Sequence, residues 1–161
     1  MRTGANPYKV RVMLVRERAR KKRDSLQIKS PDDVYALLEK DIKQLDREAA
    51  YTIYLDSRNK VLGTEMISLG TLNANLIHPR ELFKGAILIS AASIILVHNH
   101  PSGEAAPSED DIEITKRVVK AGKILGIDVL DHIIIGNGTG EYLSLKEYSQ
   151  KKKENLFDEK S

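Results

Sequence analysis

No cysteine occurs in the 161 residues, which rules out a disulfide framework. Nor does any apolar run approach the roughly 20 residues that a membrane-spanning helix needs. The N-terminus is basic and lacks the apolar stretch of a secretory signal. A protein of a bacterial-type cytoplasm is the expectation. The chain also lacks internal repeats, which sets repeat architectures aside.

What is present is ordinary for a globular protein: 41% hydrophobic and 30% charged residues, in a length that suits one domain with a sizeable core. The net charge of +3 hides an asymmetry, because residues 1–29 hold ten Lys/Arg against two acids. That arm is +8 and the remainder is −5. Such an arm fits either an electrostatic contact with an anionic polymer such as DNA or a solvated tail. Three regions follow: a basic arm or linker over 1–29, a folded domain over 30–148, and a lysine-rich tail, frayed over 149–161.

Within the arm, Val10, Val12, Leu14 and Val15 alternate with basic residues at strand period. Ser30-Pro31-Asp32-Asp33 starts a helix: serine caps, proline suits the first turn, and acids complement the dipole. That helix is expected to run to about Leu45. Ala49–Asp56 and Val61–Leu69 read as an antiparallel hairpin. A second helix is expected from Pro79 to about Ala91, then a strand over Ile94–Val97 buried on both faces. Ser108-Glu109-Asp110-Asp111 opens a third helix, with Ile112, Thr115, Val118, Val119, Gly122 and Leu125 inward and Gly126 ending it. Strands over Ile127–Ile135 and Glu141–Leu145 flank a turn with three glycines. The sum is an α/β domain, one mixed sheet with helices on its faces.

The chemistry concentrates in Ile94–Asp111, IILVHNHPSGEAAPSEDD. Residues i and i+2 of a strand point to one side, so His98 and His100 converge. Pro101 has no N–H and stops the ladder, while Gly103 and Pro107 shape a loop that can fold back and bring Asp111 to the same point. Two imidazoles and a carboxylate suit Zn²⁺, with a fourth position open for a water nucleophile. Three rival readings fail. A zinc deaminase needs cysteines that are absent. An H-x-H-x-D-H site is broken by Ser102 and Gly103. The letters His98-Asn99-His100 only spell the name of the HNH nucleases, whose residues are scattered.

His98-x-His100-Pro101 followed by Ser108-x-x-Asp111 resembles the JAMM (MPN+) metalloprotease signature, E…H-x-H-P-x(6)-S-x-x-D. The resemblance is closer still to the RadC-like proteins, the UPF0758 group. It is carried by Gly70-Thr71-Leu72-Asn73-Ala74, His78-Pro79-Arg80-Glu81, His98-Asn99-His100-Pro101-Ser102-Gly103 and Leu130-Asp131-His132, and covers about residues 30–148. It implies a three-layer α/β/α, cytidine-deaminase-like (JAMM/MPN) fold with a mixed sheet, and a zinc hydrolase acting on a peptide or isopeptide bond. The N-terminus departs from it. Full-length RadC-like proteins carry a helix-hairpin-helix DNA-binding domain where this chain has its basic arm.

The resemblance also assigns roles. Glu48 corresponds best to the upstream glutamate that acts as general base, ahead of Glu65 and Glu81. Ser108 resembles the serine that steadies an oxyanion, although a helix cap accounts for it equally. His132 is either a support for a ligand or a satisfied core histidine, and His78 caps or orders its loop. Two functions are carried forward: a zinc-dependent JAMM-type hydrolase with a peptide or protein substrate, and a DNA-associated repair or mobile-element accessory protein whose metal is structural or cleaves phosphodiesters.

Overall fold

Strands form here where apolar and β-branched residues run without interruption, and helices where polar residues return every third or fourth position. The computed structural model describes residues 26–70 and 77–157. The strand expected around Val10–Val15 and the rest of the arm to residue 25 lie outside them, as do 71–76 and 158–161. The elements run α1 (Pro31–Ile42), β1 (Ala49–Leu55), β2 (Val61–Leu69), α2 (Pro79–Leu88), β3 (Ser93–His100), α3 (Glu109–Leu125), β4 (Asp128–Gly136), β5 (Tyr142–Ser144) and α4 (Leu145–Lys151).

The five strands make one mixed sheet in the order β2-β1-β3-β4-β5. Its one parallel pair is β3 with β4, joined through the crossover helix α3, while the other pairs are antiparallel. Both β1 and β3 sit inside the sheet and are buried along nearly their whole length, which explains their unbroken apolar sequences. Alternate residues feed two cores. Tyr51, Ile53, Ile95, Val97, Ile133 and Ile135 pack under α1, whose Val34, Leu38 and Ile42 face them. Ala50, Tyr54, Ile94 and Leu96 pack on the other face under Leu82, Phe83 and Ala86 of α2 and Ile114 and Val118 of α3. The expected three-layer α/β/α arrangement is therefore present.

Several boundaries differ from expectation. β3 does not stop at Val97 but pairs with β4 through His100↔Gly136, so both histidines lie inside the strand, and Pro101 ends it. The α3 stripe that turns inward is Asp111, Ile114, Thr115, Val118, Val119 and Gly122. Ile112 is only partly buried, and Leu125 is exposed on the last turn. The stretch after Lys146, expected to fray, is helical to Lys151. Ser144 caps that helix, and Leu145 and Leu156 pack with Ile134 in a third apolar cluster. Apolar residues between the lysines anchor it. No helix among the described residues is long and apolar enough to cross a membrane.

Candidate metal centre

On the α2/α3 face of β3 the residues run Ile94, Leu96, His98, His100: the same alternation that builds the core delivers two imidazoles at its end. Their Nε2 atoms are 2.9 Å apart. Each ring is held from behind. His100 Nδ1 donates to the Glu104 carbonyl at 2.8 Å, which leaves its Nε2 as an acceptor in the neutral ring. Glu104 is brought there by a loop lying close on β4. A Cβ at Gly136 would come within 2.0 Å of the Gly103 carbonyl oxygen, and Gly103 itself has φ +88°. Only glycine at both positions lets the loop seat this closely.

Asp111 arrives from α3. It is the third residue of the helix, and Ser108 before the helix both donates to it (backbone N and Oγ to Oδ2, each 2.7 Å) and accepts from its backbone N at 3.2 Å. The reciprocal cap fixes the carboxylate, which lies 3.1 Å from His98 Nε2 through Oδ1 and 3.5 Å from His100 Nε2 through Oδ2. His98 and Asp111 are buried and His100 nearly so. Burial pushes the Asp111 carboxyl up, but its neighbours His100, His98 and Ser108 outweigh it and hold the group well below the usual carboxylate range. The carboxylate beside His100 raises that imidazole against the effect of burial.

These three side chains offer ligand atoms that all lie within 4.8 Å of one another and could hold a metal ion. Zn–N bonds of about 2.0–2.1 Å imply tetrahedral edges of roughly 3.4 Å, close to the separations found here. The sequence reading expected this ligand set, and the fold brings its members together.

Behind His98 is a residue that sequence reasoning left open. His132, fully buried on β4 opposite Leu96, approaches His98 Nδ1 with its Nε2 at 2.7 Å. Its Nδ1 lies 2.6 Å from Thr115 Oγ1, and that hydroxyl lies 2.6 Å from the Asp111 carbonyl. Burial, with the neighbouring His98, lowers His132 well below the usual histidine range. Both ring nitrogens of this core histidine thus have partners, one of them the ring of His98. Strand parity in both β3 and β4 was the available signal, but it needs the register.

Asn99, between the two histidines and on the opposite face, was missed altogether. Its Oδ1 accepts from Ala49 N at 2.7 Å, and its Nδ2 donates to the Arg47 carbonyl and to Asn137 Oδ1, each at 3.1 Å. Asn137 in turn donates from its side chain to the Leu45 carbonyl and from its backbone to the His100 carbonyl, each at 3.0 Å. The two asparagines lash the segment leading into β1 to the histidine strand. The only sequence signal was a buried polar residue inside an apolar run.

That segment carries Glu48. Ala50 pairs with His98, so antiparallel register continued by two residues sets Glu48 beside His100, and its charge acts to raise that imidazole. Glu65 is elsewhere. It accepts from the Tyr54 hydroxyl beneath α2, next to Gly85. Glu81 pairs with Lys84 at 2.9 Å and Arg80 at 3.3 Å in the first turn of α2, where His78 caps by accepting from Arg80 N. Both glutamates thus have partners outside the histidine cluster.

Residues 28–152 match the family described as RadC-like JAB domain. Among similar proteins, a UPF0758 protein of Methanosarcina acetivorans is 53% identical over 118 residues, covering 73% of this chain and 51% of that protein. One from Methanococcoides burtonii is 54% identical over 120 residues (74% and 52%), and one from Desulforamulus reducens 56% over 119 (74% and 52%). The chain spans about half the length of the curated relatives it matches.

Proposed function

The chain belongs to the RadC-like JAB domain family, and from that premise we propose that it is a zinc-dependent hydrolase of a peptide or isopeptide bond. One observation carries the reading. The Glu104 carbonyl behind His100 leaves that ring's Nε2 unprotonated in its neutral form, and this nitrogen, His98 Nε2 and the Asp111 carboxylate converge within 4.8 Å of one another. Such a donor set suits a cation and little else. Bound zinc would supply Lewis acidity and bring the pKa of a water in its open position toward about 7.

The chain's own residues complete the reaction. Glu48, on the His100 side, takes the proton of the attacking water. As the water oxygen bonds to the carbonyl carbon and the C–N bond breaks, Glu48 returns that proton to the leaving amine. Ser108 Oγ directs its proton to Asp111 and holds the carboxylate in place. To serve an oxyanion it would have to turn away from that bond.

Elemental analysis of purified protein beside His98→Ala tests the ligands: stoichiometric zinc in the first and none in the second is expected, and zinc kept by the variant refutes the set. Against a panel of fluorogenic peptides and lysine-linked isopeptides, Glu48→Gln should keep its zinc and lose cleavage. Cleavage at the unsubstituted rate, or no cleavage of any panel member by the parent protein, overturns the hydrolase reading.

A further inference from the structure

The hydrogen bonds behind His98 can run in only one direction. The Asp111 carbonyl can only accept, so the Thr115 hydroxyl at 2.6 Å gives its single proton there. Thr115 Oγ1 then has only acceptor capacity for His132 Nδ1, 2.6 Å away, and that nitrogen must carry the proton of the ring. A neutral imidazole has one N–H, which makes His132 Nε2 an acceptor. Facing it at 2.7 Å, His98 Nδ1 must donate. His98 Nε2 is left as a lone pair, aimed at Asp111 Oδ1 and His100.

We propose that His132, with Thr115, is a positioning residue of the metal site: it locks His98 in the Nδ1–H tautomer and ties it to the main chain of Asp111, so that one side-chain relay aligns two of the three ligands. The relay has three structural supports. All its members are buried, so water does not compete for its bonds. It spans three elements, β3, β4 and α3, whose relative placement it therefore records at the site. It also starts at a helix carbonyl: Thr115 stands four residues after Asp111 and bonds back along α3. A shift of the first turn of α3 is thus felt at His98. His100 takes its tautomer independently, from the Glu104 carbonyl.

This rests on the metal-site reading, and the test separates the two. Zinc affinity is measured by competition with a chromophoric chelator for the parent protein, His132→Leu, His132→Gln and Thr115→Val, and the His98 ring tautomer by ¹⁵N NMR of the zinc-free forms. Removing the acceptor in His132→Leu should weaken zinc about 10- to 100-fold, as loss of a group supporting a histidine ligand does. The His98 Nδ1–H signature should disappear with it. Glutamine, whose Oε1 reaches where His132 Nε2 stood, should restore both, and Thr115→Val should give an intermediate loss. Parent-level zinc affinity and an unchanged His98 tautomer in His132→Leu and Thr115→Val overturn the inference. If His132→Leu does not fold, failure of Gln to outperform Thr115→Val overturns it equally. A parent protein that binds no zinc but shows the Nδ1–H tautomer sinks the metal reading and leaves the relay standing.

Discussion

Two helices of this molecule begin with nearly the same five residues: Ser30-Pro31-Asp32-Asp33-Val34 at α1 and Ser108-Glu109-Asp110-Asp111-Ile112 at α3. Both aspartates take the third helical position and accept from the serine before the helix, Asp33 at 3.0 and 3.3 Å and Asp111 at 2.7 Å twice. Local physics treats them alike. The difference is where each helix start lands. Asp33 also accepts from Lys29 N at 2.8 Å at the protein surface, whereas Asp111 is buried and turns its Oδ1 to His98. A capping motif thus joins a candidate metal centre when the topology sets it against the end of a histidine strand.

The sharpest way to break this comparison is the same substitution in both boxes. Asp111→Asn should abolish stoichiometric zinc, because a neutral amide replaces the only anionic ligand, and Asp33→Asn should leave zinc untouched. Inductively coupled plasma analysis reads both. Equal zinc in the two variants would mean that the α3 box is a cap and nothing more.

Sequence alone disclosed one half of that contrast. The alternation around His98 and His100, the Pro101 stop and the helix start at Ser108 are local, so periods of 2 and 3.6 exposed them and the candidate cluster of His98, His100 and Asp111 could be read. The supports are not local. His132 is 34 residues from His98 and Asn99 is 50 from Ala49, and only strand register brings them together. Element ends were lost for a similar reason. β3 runs on to His100 because β4 pairs with it there, and Leu145 starts α4 because Ser144 caps it and Ile134 receives it.

A middle-sized effect should come from the serines. Ser108→Ala removes a hydroxyl that both donates and accepts, at a cost of about 1 kcal/mol, whereas Ser30→Ala loses a single 3.3 Å bond and should fall near the low end of about 0.5. For a chain of this size about 1 kcal/mol lowers Tm by about 2–4 °C. Zinc affinity should also drop in Ser108→Ala, by about 10-fold or more, since its hydroxyl orients the proposed ligand Asp111, and stay constant in Ser30→Ala. A cleavage rate that fell by a further ~10²-fold at saturating zinc would add an oxyanion role to Ser108. Identical zinc titrations for the two variants would erase the distinction drawn between the boxes.

The smallest effect belongs to the surface box and is one of pH. Hydrogen bonds from Lys29 N, against a small burial penalty, and from Ser30 N hold Asp33 below the ordinary carboxylate value. A carboxyl depressed in the folded state stabilises fully above its unfolded pKa of about 3.9, and that contribution disappears as pH falls through the folded value. Thermal melts of chelator-treated protein should therefore show Asp33→Asn below the parent by a constant margin from pH 7 to 5, with the margin closing below about pH 4. Chelation matters, because acid also protonates the histidines and would release metal, adding a transition that has nothing to do with α1. A margin that widened on acidification would mean that Asp33 is raised, not lowered, by its surroundings. The two boxes would then differ in their local electrostatics as well as in where the fold puts them.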